Sequence, residues 1–306
     1  MHNNSFIVSV IIPVYNGGKT LAATLESLVN QSFQDFEVIA CIDGTSDNSE
    51  DILKKYTSKF KKFTLLKNNR NRGLGSTMNR LVAAANGALI AIAEQDDFYY
   101  PDRLEIQVKV LNTQPDVGMV SGIAEFYDGT KTMSRFPGIL DRGKQYPTGE
   151  DMFLLNYREQ IKVVNTCLMF RKQIHVDNGL YFSQHYPSIS IDWSYILRFS
   201  LVSNIYGVHN VLVKVDRTQN RDSVTSNKEK QFMAAHELIR SFAYEFPSLI
   251  KRQDYLYAKR TQKLIELSQH YGISFYFRAI GQTFLNWTDN RFYKKLISRL
   301  TKKVKN

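Results

Sequence analysis

Short apolar runs alternate with helical patterns throughout the first hundred residues, and this alternation constrains the fold more than any other feature. Four runs of apolar, largely β-branched residues have the length of buried strands: Ile7–Val14, Phe36–Ile42, Phe63–Leu66 and Ala88–Ala93. Between the runs, apolar residues recur at helical spacing, as Leu21, Leu25 and Leu28 do. Strands joined by short helical crossovers form a parallel sheet with helices on both faces, so we predict a doubly wound α/β fold.

Polar residues stand directly after each of these four strands. They are Tyr15-Asn16, Asp43-Gly44, Asn71-Arg72-Gly73 and Glu94-Gln95-Asp96-Asp97. In an open parallel sheet the carboxyl ends of the strands meet at one edge, and ligands bind there. Four successive strand ends with polar or acidic groups therefore predict a binding cleft.

The chain continues with mixed elements before the pattern changes to helices alone. A helix after Pro101 leads to a strand at Val117–Phe126, and residues 128–148 have the composition of a polar loop region. Further along we predict these elements: a helix near 149–157, a strand at Thr166–Arg171, a helix at 191–201 and a strand at Val208–Asp216. From about residue 227 only helical patterns remain. We therefore predict a sheet-containing domain at 1–226 and a helical region at 227–306.

The net charge of +11 belongs almost entirely to the helical region. Residues 1–225 hold 24 Lys and Arg against 23 Asp and Glu, whereas residues 226–306 hold 16 against 6. The last predicted helix, Arg291–Lys305, carries apolar residues among seven basic ones, which is typical of a helix lying on an anionic membrane. The alternative is that its apolar face packs on neighbouring helices. Nucleic-acid binding is not indicated, because no nucleic-acid-binding module is recognisable and the charge is confined to one segment.

The sequence patterns favour a cytoplasmic location. No run of about 20 apolar residues is present, as a spanning helix would need. The run Phe6–Val14 lacks the basic flank and the cleavage site of a signal peptide, which favours a buried strand. Cys41 and Cys167 provide neither a disulfide framework nor metal-binding spacing, which is typical of a reducing compartment. If the basic helix binds lipid, the protein would be peripheral on the inner face of the cell membrane.

The segment Glu94–Asp97 places three carboxylates at the end of a predicted strand. Carboxylates this close repel one another and raise each other's pKa unless a cation lies among them. Oxygen ligands of this kind suit Mg²⁺ or Mn²⁺, which also bind substrate phosphates. The alternative is a solvated loop that caps the next helix, but the three other polar strand ends favour the metal site.

Asp192 begins a predicted amphipathic helix and has two interpretations. An Asp at this position is commonly an N-cap or a partner of the helix dipole. A carboxylate beside a bulky aromatic residue, here Trp193, is also what a general base requires, because partial desolvation raises its proton affinity. The residues alone leave both interpretations open.

Taken together, these segments resemble glycosyltransferase family 2, whose members have the glycosyltransferase A-type fold. The similar segments are Val8–Asn16, Cys41–Asp47, Asn71–Asn79, Ala85–Gly87, Glu94–Asp97 and Ile191–Arg198. The resemblance covers roughly residues 7–225, and the ordered combination is highly specific although each segment alone is common. The implied fold has a Rossmann-like nucleotide-binding half and a mixed central sheet with helices on both faces, followed by a C-terminal helical extension.

The resemblance implies an inverting glycosyltransferase of the hexosyl or N-acetylhexosaminyl type. Its donor would be a nucleotide diphosphate sugar of the UDP type. Its acceptor would be a glycan or lipid-linked glycan in bacterial surface-polysaccharide assembly, such as a capsule or O antigen. One base and no enzyme nucleophile imply a single displacement with inversion, assisted by Mn²⁺ or Mg²⁺. A nucleotide-sugar-binding protein without turnover is the alternative.

The resemblance also assigns roles to individual residues. Nucleotide-sugar binding falls to residues at the strand ends and on one helix: Pro13, Val14, Tyr15, Asn16, Asp43, Arg72, Gly73, Asn79, Asp96 and Asp97. Asp43 would accept the imide N–H of uracil, and Asp96 with Glu94 would hold the metal. Asp192 would be the catalytic base, with Trp193 and Arg217 on the acceptor side.

Three positions depart from the family's pattern. Glu94 stands where the family more often has Asp, and Ile191 replaces the acid that usually precedes the base. Arg217-Thr218-Gln219 stands in place of Arg-x-His, and an amide cannot act as an imidazole would. Arg217 itself is either a ligand contact or an ordinary surface charge.

Overall fold

The computed structural model describes residues 7–136, 140–141, 143–161, 163–185, 191–217, 227–270, 272–286 and 288–303. The chain divides into two units. The first contains the residues up to Phe153 together with Ile161–Asn227, and the second contains Leu154–Gln160 together with the chain from Lys228 onward. The strands of the described residues all belong to the first unit.

Strands and helices alternate through the first half of the chain, as the apolar runs predict. The strands are β1 (Val8–Val14), β2 (Phe36–Asp43), β3 (Phe63–Asn68), β4 (Leu89–Ile92), β5 (Asp97–Tyr99), β6 (Val117–Tyr127), β7 (Thr132–Phe136), β8 (Leu140–Asp141), β9 (Lys144–Gln145), β10 (Met169–Arg171) and β11 (Asn204–Asp216). The helices are α1 (Leu21–Val29), α2 (Ser49–Tyr56), α3 (Leu74–Ala84), α4 (Arg103–Thr113), α5 (Gly149–Glu159), α6 (Lys172–Asp177), α7 (Ile191–Ser200), α8 (Lys228–Glu245), α9 (Arg252–Ser268), α10 (Gly272–Asn286) and α11 (Asn290–Lys303).

One large sheet organises the first unit, in the strand order β3-β2-β1-β4-β10-β6-β11-β5, with β7 paired to β6. The strands β1 to β4 run parallel, and the register places Val10 of β1 beside Val38 of β2 and Ala91 of β4. β10 is antiparallel to both of its neighbours, and β5 is antiparallel to β11. The sheet is therefore mixed, which confirms the predicted fold class.

The central strands of the parallel half are buried along almost their whole length. Every residue of β2 is buried, and a strand covered on both faces needs apolar residues at nearly every position. Glu37 is an exception with its own partners: its carboxylate accepts bonds from the Ser9 hydroxyl and the Asn86 backbone N–H, both 2.7 Å, and pairs with Lys62 at 2.9 Å. Burial would raise the pKa of Glu37, but these donors hold it below its usual value.

Several elements differ from the prediction because short or exposed strands leave a weak sequence signal. The region 128–148 contains β7, β8 and β9 rather than only loop, and β7 is an exposed edge strand without an apolar run to mark it. The predicted strand Thr166–Arg171 begins with a 3₁₀ turn at Asn165–Cys167 and keeps only β10. β5 and α6 were not predicted.

The second unit has an apolar interior of its own. Leu264 and Leu267 of α9, Phe275 and Ala279 of α10 and Phe292 of α11 are buried against one another. The C-terminal part of α5 belongs to this unit, and the Tyr157 hydroxyl donates to the carbonyl of Ile239 at 2.7 Å.

Helix α11 uses much of its apolar face for packing within this unit. Phe292 is buried and Leu296 packs against the same cluster. Arg291 Nη2 pairs with Asp289 Oδ2 at 2.7 Å, and Lys295 Nζ donates to a backbone carbonyl of α9 at 2.8 Å. Phe292 and Leu296, two of the apolar residues of this predicted membrane helix, are therefore internal, as the packing alternative requires.

Some predictions lie outside the described residues, namely Gln219 and the last two residues of the predicted helix Arg291–Lys305. In the part of the chain that the structure describes, no helix combines the length and the apolar composition needed to cross a bilayer.

Candidate active site

The carboxyl ends of β1, β2, β3 and β4 share one edge of the sheet because the four strands are parallel. Hydrogen bonds connect the loops that follow them. Tyr15 and Gln95 exchange two bonds of 2.9 Å, each between the backbone of Tyr15 and the side-chain amide of Gln95. Asn16, which has a φ of 50°, accepts a 3.0 Å bond at Oδ1 from the Ser46 backbone N–H. The structure thus brings strand-end residues together at this edge.

Asp43 organises the loop between β3 and α3. Its side chain is buried, and Oδ1 accepts bonds of 2.8 Å from the Asn68 amide and from the Arg72 backbone N–H. Oδ2 accepts a 3.0 Å bond from the Gly73 backbone N–H. Because a carboxylate oxygen has two lone pairs, Oδ2 can accept one further bond. Gly44 has a φ of 70°, and a Cβ there would lie 2.3 Å from the Asn71 nitrogen, so this approach requires glycine.

The other predicted nucleotide-binding residues differ in their exposure to solvent. Tyr15 and Arg72 are exposed, and Pro13 is half-buried. The side chain of Val14 is buried in the core of the first unit. Val14 can therefore contribute only its backbone to a ligand.

Three carboxylates meet at the end of β4. Ligand oxygens of Glu94, Asp96 and Asp97 lie within 4.8 Å of one another. Asp97 is 3% exposed, and among the described residues neither of its oxygens meets a donor at hydrogen-bonding geometry. Glu94 and Asp96 are half-buried. Hard oxygen ligands of this kind fit a divalent cation, which would also compensate the buried carboxylate. The group contains Asp97 in addition to Glu94 and Asp96, the two metal ligands that the resemblance implies.

The pKa of Asp97 is raised well above its usual value. Burial is the main cause, and the negative charge of Glu94 adds to it. The Thr166 hydroxyl and the guanidinium groups of Arg217 and Arg103 act in the opposite direction. A cation among these carboxylates would supply the missing positive charge.

Buried residues behind the carboxylates, which the sequence did not predict, hold the acidic segment in position. The Tyr99 hydroxyl accepts the Glu94 backbone N–H at 2.6 Å and bonds to the Thr166 hydroxyl at 2.5 Å. Arg103 is fully buried, donates to the Ile92 carbonyl at 2.7 Å and lies 4.5 Å from the centroid of the Tyr99 ring. A charged residue among the core-facing positions of α4, six residues after the acidic segment, is the signal that could have indicated Arg103.

Asn79 joins α3 to the segment before α7. Its amide nitrogen donates to the Phe182 carbonyl at 2.9 Å, and its Oδ1 accepts the Phe182 backbone N–H at 2.8 Å. A Cβ on Gly75 would lie 2.7 Å from the Ser183 carbonyl oxygen, so α3 and this segment are in close contact. These contacts give Asn79 a structural role, whereas the resemblance places it near the diphosphate.

Asp192 and Trp193 lie in the first turn of α7 and are half-buried. Asp192 Oδ1 accepts the Trp193 backbone N–H at 2.8 Å. The indole N–H of Trp193 is buried and has no acceptor in the described part of the chain. On the same helix Tyr195 stacks on Phe182, with ring centroids 4.1 Å apart. Phe182 and Asn79 therefore connect α7 with α3.

Arg217 is not only a surface charge, because it also interacts with a carboxylate of the site. It follows β11, in which Val215 pairs with Asp97 of β5. Its backbone N–H donates to the Tyr127 carbonyl at 2.6 Å, and its guanidinium lies 5.1 Å from the centroid of the Phe126 ring. The positive charge of Arg217 lowers the pKa of Asp97, so the two groups interact electrostatically.

The mixed sheet with an acidic segment at its carboxyl edge defines a glycosyltransferase A-type fold. TarS residues 1–349 from S. aureus superimpose with a TM-score of 0.59 at 18% identity, over 90% of each chain. The mannosyltransferase PcManGT from Pyrobaculum calidifontis, solved with GDP-Man and Mn²⁺, gives 0.58 at 14% identity, over 96% of this chain and 84% of that one. At these identities the likeness concerns the fold.

Sequence comparison identifies the family. Residues 9–177, more than half of the chain, match the model of glycosyl transferase family 2. The putative glycosyltransferase EpsH of Bacillus subtilis is 35% identical over 126 residues, which are 41% of this chain and 36% of EpsH. The chain thus spans well under half the length of that relative. It belongs to glycosyltransferase family 2, which confirms the predicted family.

Proposed function

We propose that this protein transfers a sugar from a nucleotide diphosphate sugar, of the UDP type, to a hydroxyl group of a glycan or lipid-linked glycan. The carboxylate group Glu94, Asp96 and Asp97 at the carboxyl edge of the sheet is the observation that carries the proposal. Departure of a nucleoside diphosphate develops negative charge, which must be stabilised where it forms. This edge of an α/β sheet is where such a ligand binds.

The donor is supported by the relatives and by Asp43. TarS has been solved with UDP and with UDP-GlcNAc, and PcManGT with GDP-Man. The free acceptor position on Asp43 Oδ2 suits the imide N–H of uracil, and Gly73 and Arg72 lie beside it. Tyr15 and Asn16 form the facing loop. Thymine offers the same imide N–H, so the binding experiment compares UDP with dTDP.

Glu94, Asp96 and Asp97 would hold Mn²⁺ or Mg²⁺. When bound, such an ion supplies Lewis-acid neutralisation of the diphosphate. The residues of the chain orient the donor: Asp43 fixes the loop at Arg72 and Gly73, and Tyr99 fixes the backbone of Glu94. Arg217 adds a positive charge on the same side of the site.

Asp192 is the base that we propose for the acceptor hydroxyl. It is half-buried at the start of α7, with the half-buried Trp193 beside it. General-base catalysis of this kind contributes about 10²–10⁴-fold to a rate. Attack by the deprotonated hydroxyl, with departure of the nucleoside diphosphate from the opposite face, inverts the anomeric carbon. We further propose bacterial surface-polysaccharide assembly on the cytoplasmic side as the setting.

Nucleotide binding is the first test. UDP with Mn²⁺ should raise the midpoint of thermal unfolding, because a ligand at 100 times its Kd stabilises the native state by about 2.7 kcal/mol. The dTDP, GDP and ADP complexes with Mn²⁺ rank the bases, and UDP or Mn²⁺ alone are the controls. If no nucleoside diphosphate with metal shifts the midpoint, the enzyme proposal is wrong.

Turnover is the second test. A panel of nucleotide sugars identifies a donor that is transferred or hydrolysed, and Asp192→Asn should then lower the rate about 10²–10⁴-fold while UDP–Mn²⁺ binding is unchanged. Asp177→Asn, in the short helix α6, serves as the matched control. Unchanged transfer by Asp192→Asn would mean that the base is another residue.

A further inference from the structure

Two helices of the second unit leave pairs of large apolar side chains in solvent. On α10, Phe277 is 71% exposed and Ile280 72% exposed, three residues apart on one face of the helix. Phe275 and Ala279 of the same helix are buried in the apolar cluster. The exposed pair therefore lies away from the interior that α10 helps to form.

Helix α11 repeats this arrangement. Tyr293 is 37% exposed and Ile297 is 59% exposed, four residues apart and so on one face. Phe292 is buried with the cluster, and Leu296 packs against it. Of the apolar residues on which the sequence-based membrane prediction depended, Ile297 is thus exposed, whereas Phe292 and Leu296 face the interior of the unit.

These apolar side chains stand in strongly basic surroundings. Residues 272–303 contain seven Lys and Arg and a single acidic residue, Asp289. The carboxylate of Asp289 is already paired with Arg291, at 2.7 Å between Oδ2 and Nη2. Arg278 follows Phe277 directly, Lys294 follows Tyr293 directly, and both are exposed. The two helices thus combine apolar contact groups with an excess of positive charge.

We propose that α10 and α11 form a surface that binds an anionic lipid bilayer, with Phe277, Ile280, Tyr293 and Ile297 entering its headgroup region. Apolar side chains flanked by Lys and Arg are what an interfacial helix needs, since burial of apolar area and attraction to anionic lipid act together. A second copy of this chain fits the surface poorly, because a symmetric contact would bring two positively charged surfaces together. The proposal does not depend on sugar transfer.

Vesicle flotation with the full chain tests this surface. The protein should float with vesicles of phosphatidylcholine and phosphatidylglycerol at low salt, and high salt should release it. Phe277→Ala/Ile280→Ala and Tyr293→Ala/Ile297→Ala should each lower the partition coefficient at least about tenfold. Met233→Ala/Tyr244→Ala removes two side chains of α8 that are 67% and 89% exposed, and this variant should float like the parent. Circular dichroism checks that each variant is folded.

Three outcomes would overturn the proposal. One is a parent protein that stays in solution with anionic vesicles at low salt. Another is a pair of folded α10 and α11 variants that float as well as the parent. The third is a parent dimer, measured by light scattering without lipid, that the α10 variant converts to a monomer, because the surface would then belong to a second copy. No donor or acceptor enters these measurements, so their failure leaves the proposed sugar transfer untouched.

Discussion

Two carboxylates, Glu266 of the second unit and Asp97 of the first, lie in opposite electrostatic surroundings. In the second unit, burial would raise the pKa of Glu266, but hydrogen bonds from His236 at 2.5 Å and Lys263 at 2.8 Å, with a third from Gln262, hold it at about 2. In the first unit, Asp97 is buried and meets no donor at hydrogen-bonding geometry within the described part of the chain, and burial with the charge of Glu94 raises its pKa. The same functional group is thus stabilised as an anion in one place and destabilised in the other.

The difference separates a structural charge from a charge that needs a ligand. A fold stabilised by a buried ion pair supplies both partners itself, as it does for Glu266 and for Glu37 of the first unit. A buried anion without a matched donor destabilises the fold and is found where a bound ion compensates it. Asp97 has this second pattern. The presence or absence of hydrogen-bond donors from the protein therefore distinguishes the buried carboxylate of the candidate site from the structural ones.

Asp97→Asn should have the largest effect on activity and little on stability. Removal of one carboxylate from the cation site should lower metal-dependent transfer at least about 100-fold, as loss of an electrostatic group in an active site does. The melting temperature in the presence of a chelator should not fall, because the substitution removes an uncompensated buried charge. Initial rates and thermal unfolding measure the two quantities. Retained transfer, or a clear loss of stability, would remove Asp97 from the ligand group.

Glu266→Gln makes the matching change in the second unit and should have the reverse result. Loss of the charged hydrogen bonds from His236 and Lys263 should lower the free energy of unfolding by about 2 kcal/mol. UDP–Mn²⁺ binding should be unchanged, since Glu266 belongs to the other unit. Urea unfolding and titration calorimetry give both values. A variant as stable as the parent would contradict the structural role of this carboxylate.

At low pH the parent protein and Glu266→Gln should become equally stable. The pKa of Glu266 is about 2 in the folded chain, below the value of about 4.3 for an unfolded Glu. Its contribution to stability is therefore fully present above the unfolded pKa and is lost as pH falls through the folded pKa. Unfolding curves from about pH 5 to about pH 2 should converge for the two proteins. A gap that stayed constant over this range would show that the substitution acts through packing instead of charge.

The sequence predicts the parallel half of the sheet well because its signals are local. β1 and β2 are continuous apolar runs, and the polar residues directly after them lie at the shared edge. Asp43 and the acidic segment Glu94–Asp97 could be recognised in this way. Their family resemblance also rests on these contiguous residues.

The shell behind the acids could not be predicted, because it depends on pairing between distant parts of the chain. Asp97 and Tyr99 lie on β5, which is three residues long and pairs with β11, more than a hundred residues later. Thr166 reaches Tyr99 from a 3₁₀ turn where a strand was expected. The same limit applies to α11, where spacing identifies an apolar face but not whether it is buried.

Asn79→Ala has the smallest expected effect. It tests whether a polar residue whose hydrogen bonds are all made within the protein has a structural role only. The resemblance places Asn79 near the diphosphate, but its amide bonds to both backbone groups of Phe182, at 2.9 and 2.8 Å. Because these partners belong to the protein, Asn79 should behave like Glu266, and its loss should lower the free energy of unfolding by about 1 kcal/mol. The Kd for UDP–Mn²⁺ should be unchanged, whereas Arg72→Ala, at an exposed side chain beside Asp43, should weaken it. Chemical unfolding and titration calorimetry separate the two effects. If Asn79→Ala weakened UDP binding at unchanged stability, internal hydrogen bonds would not be enough to identify a structural residue at this edge of the sheet.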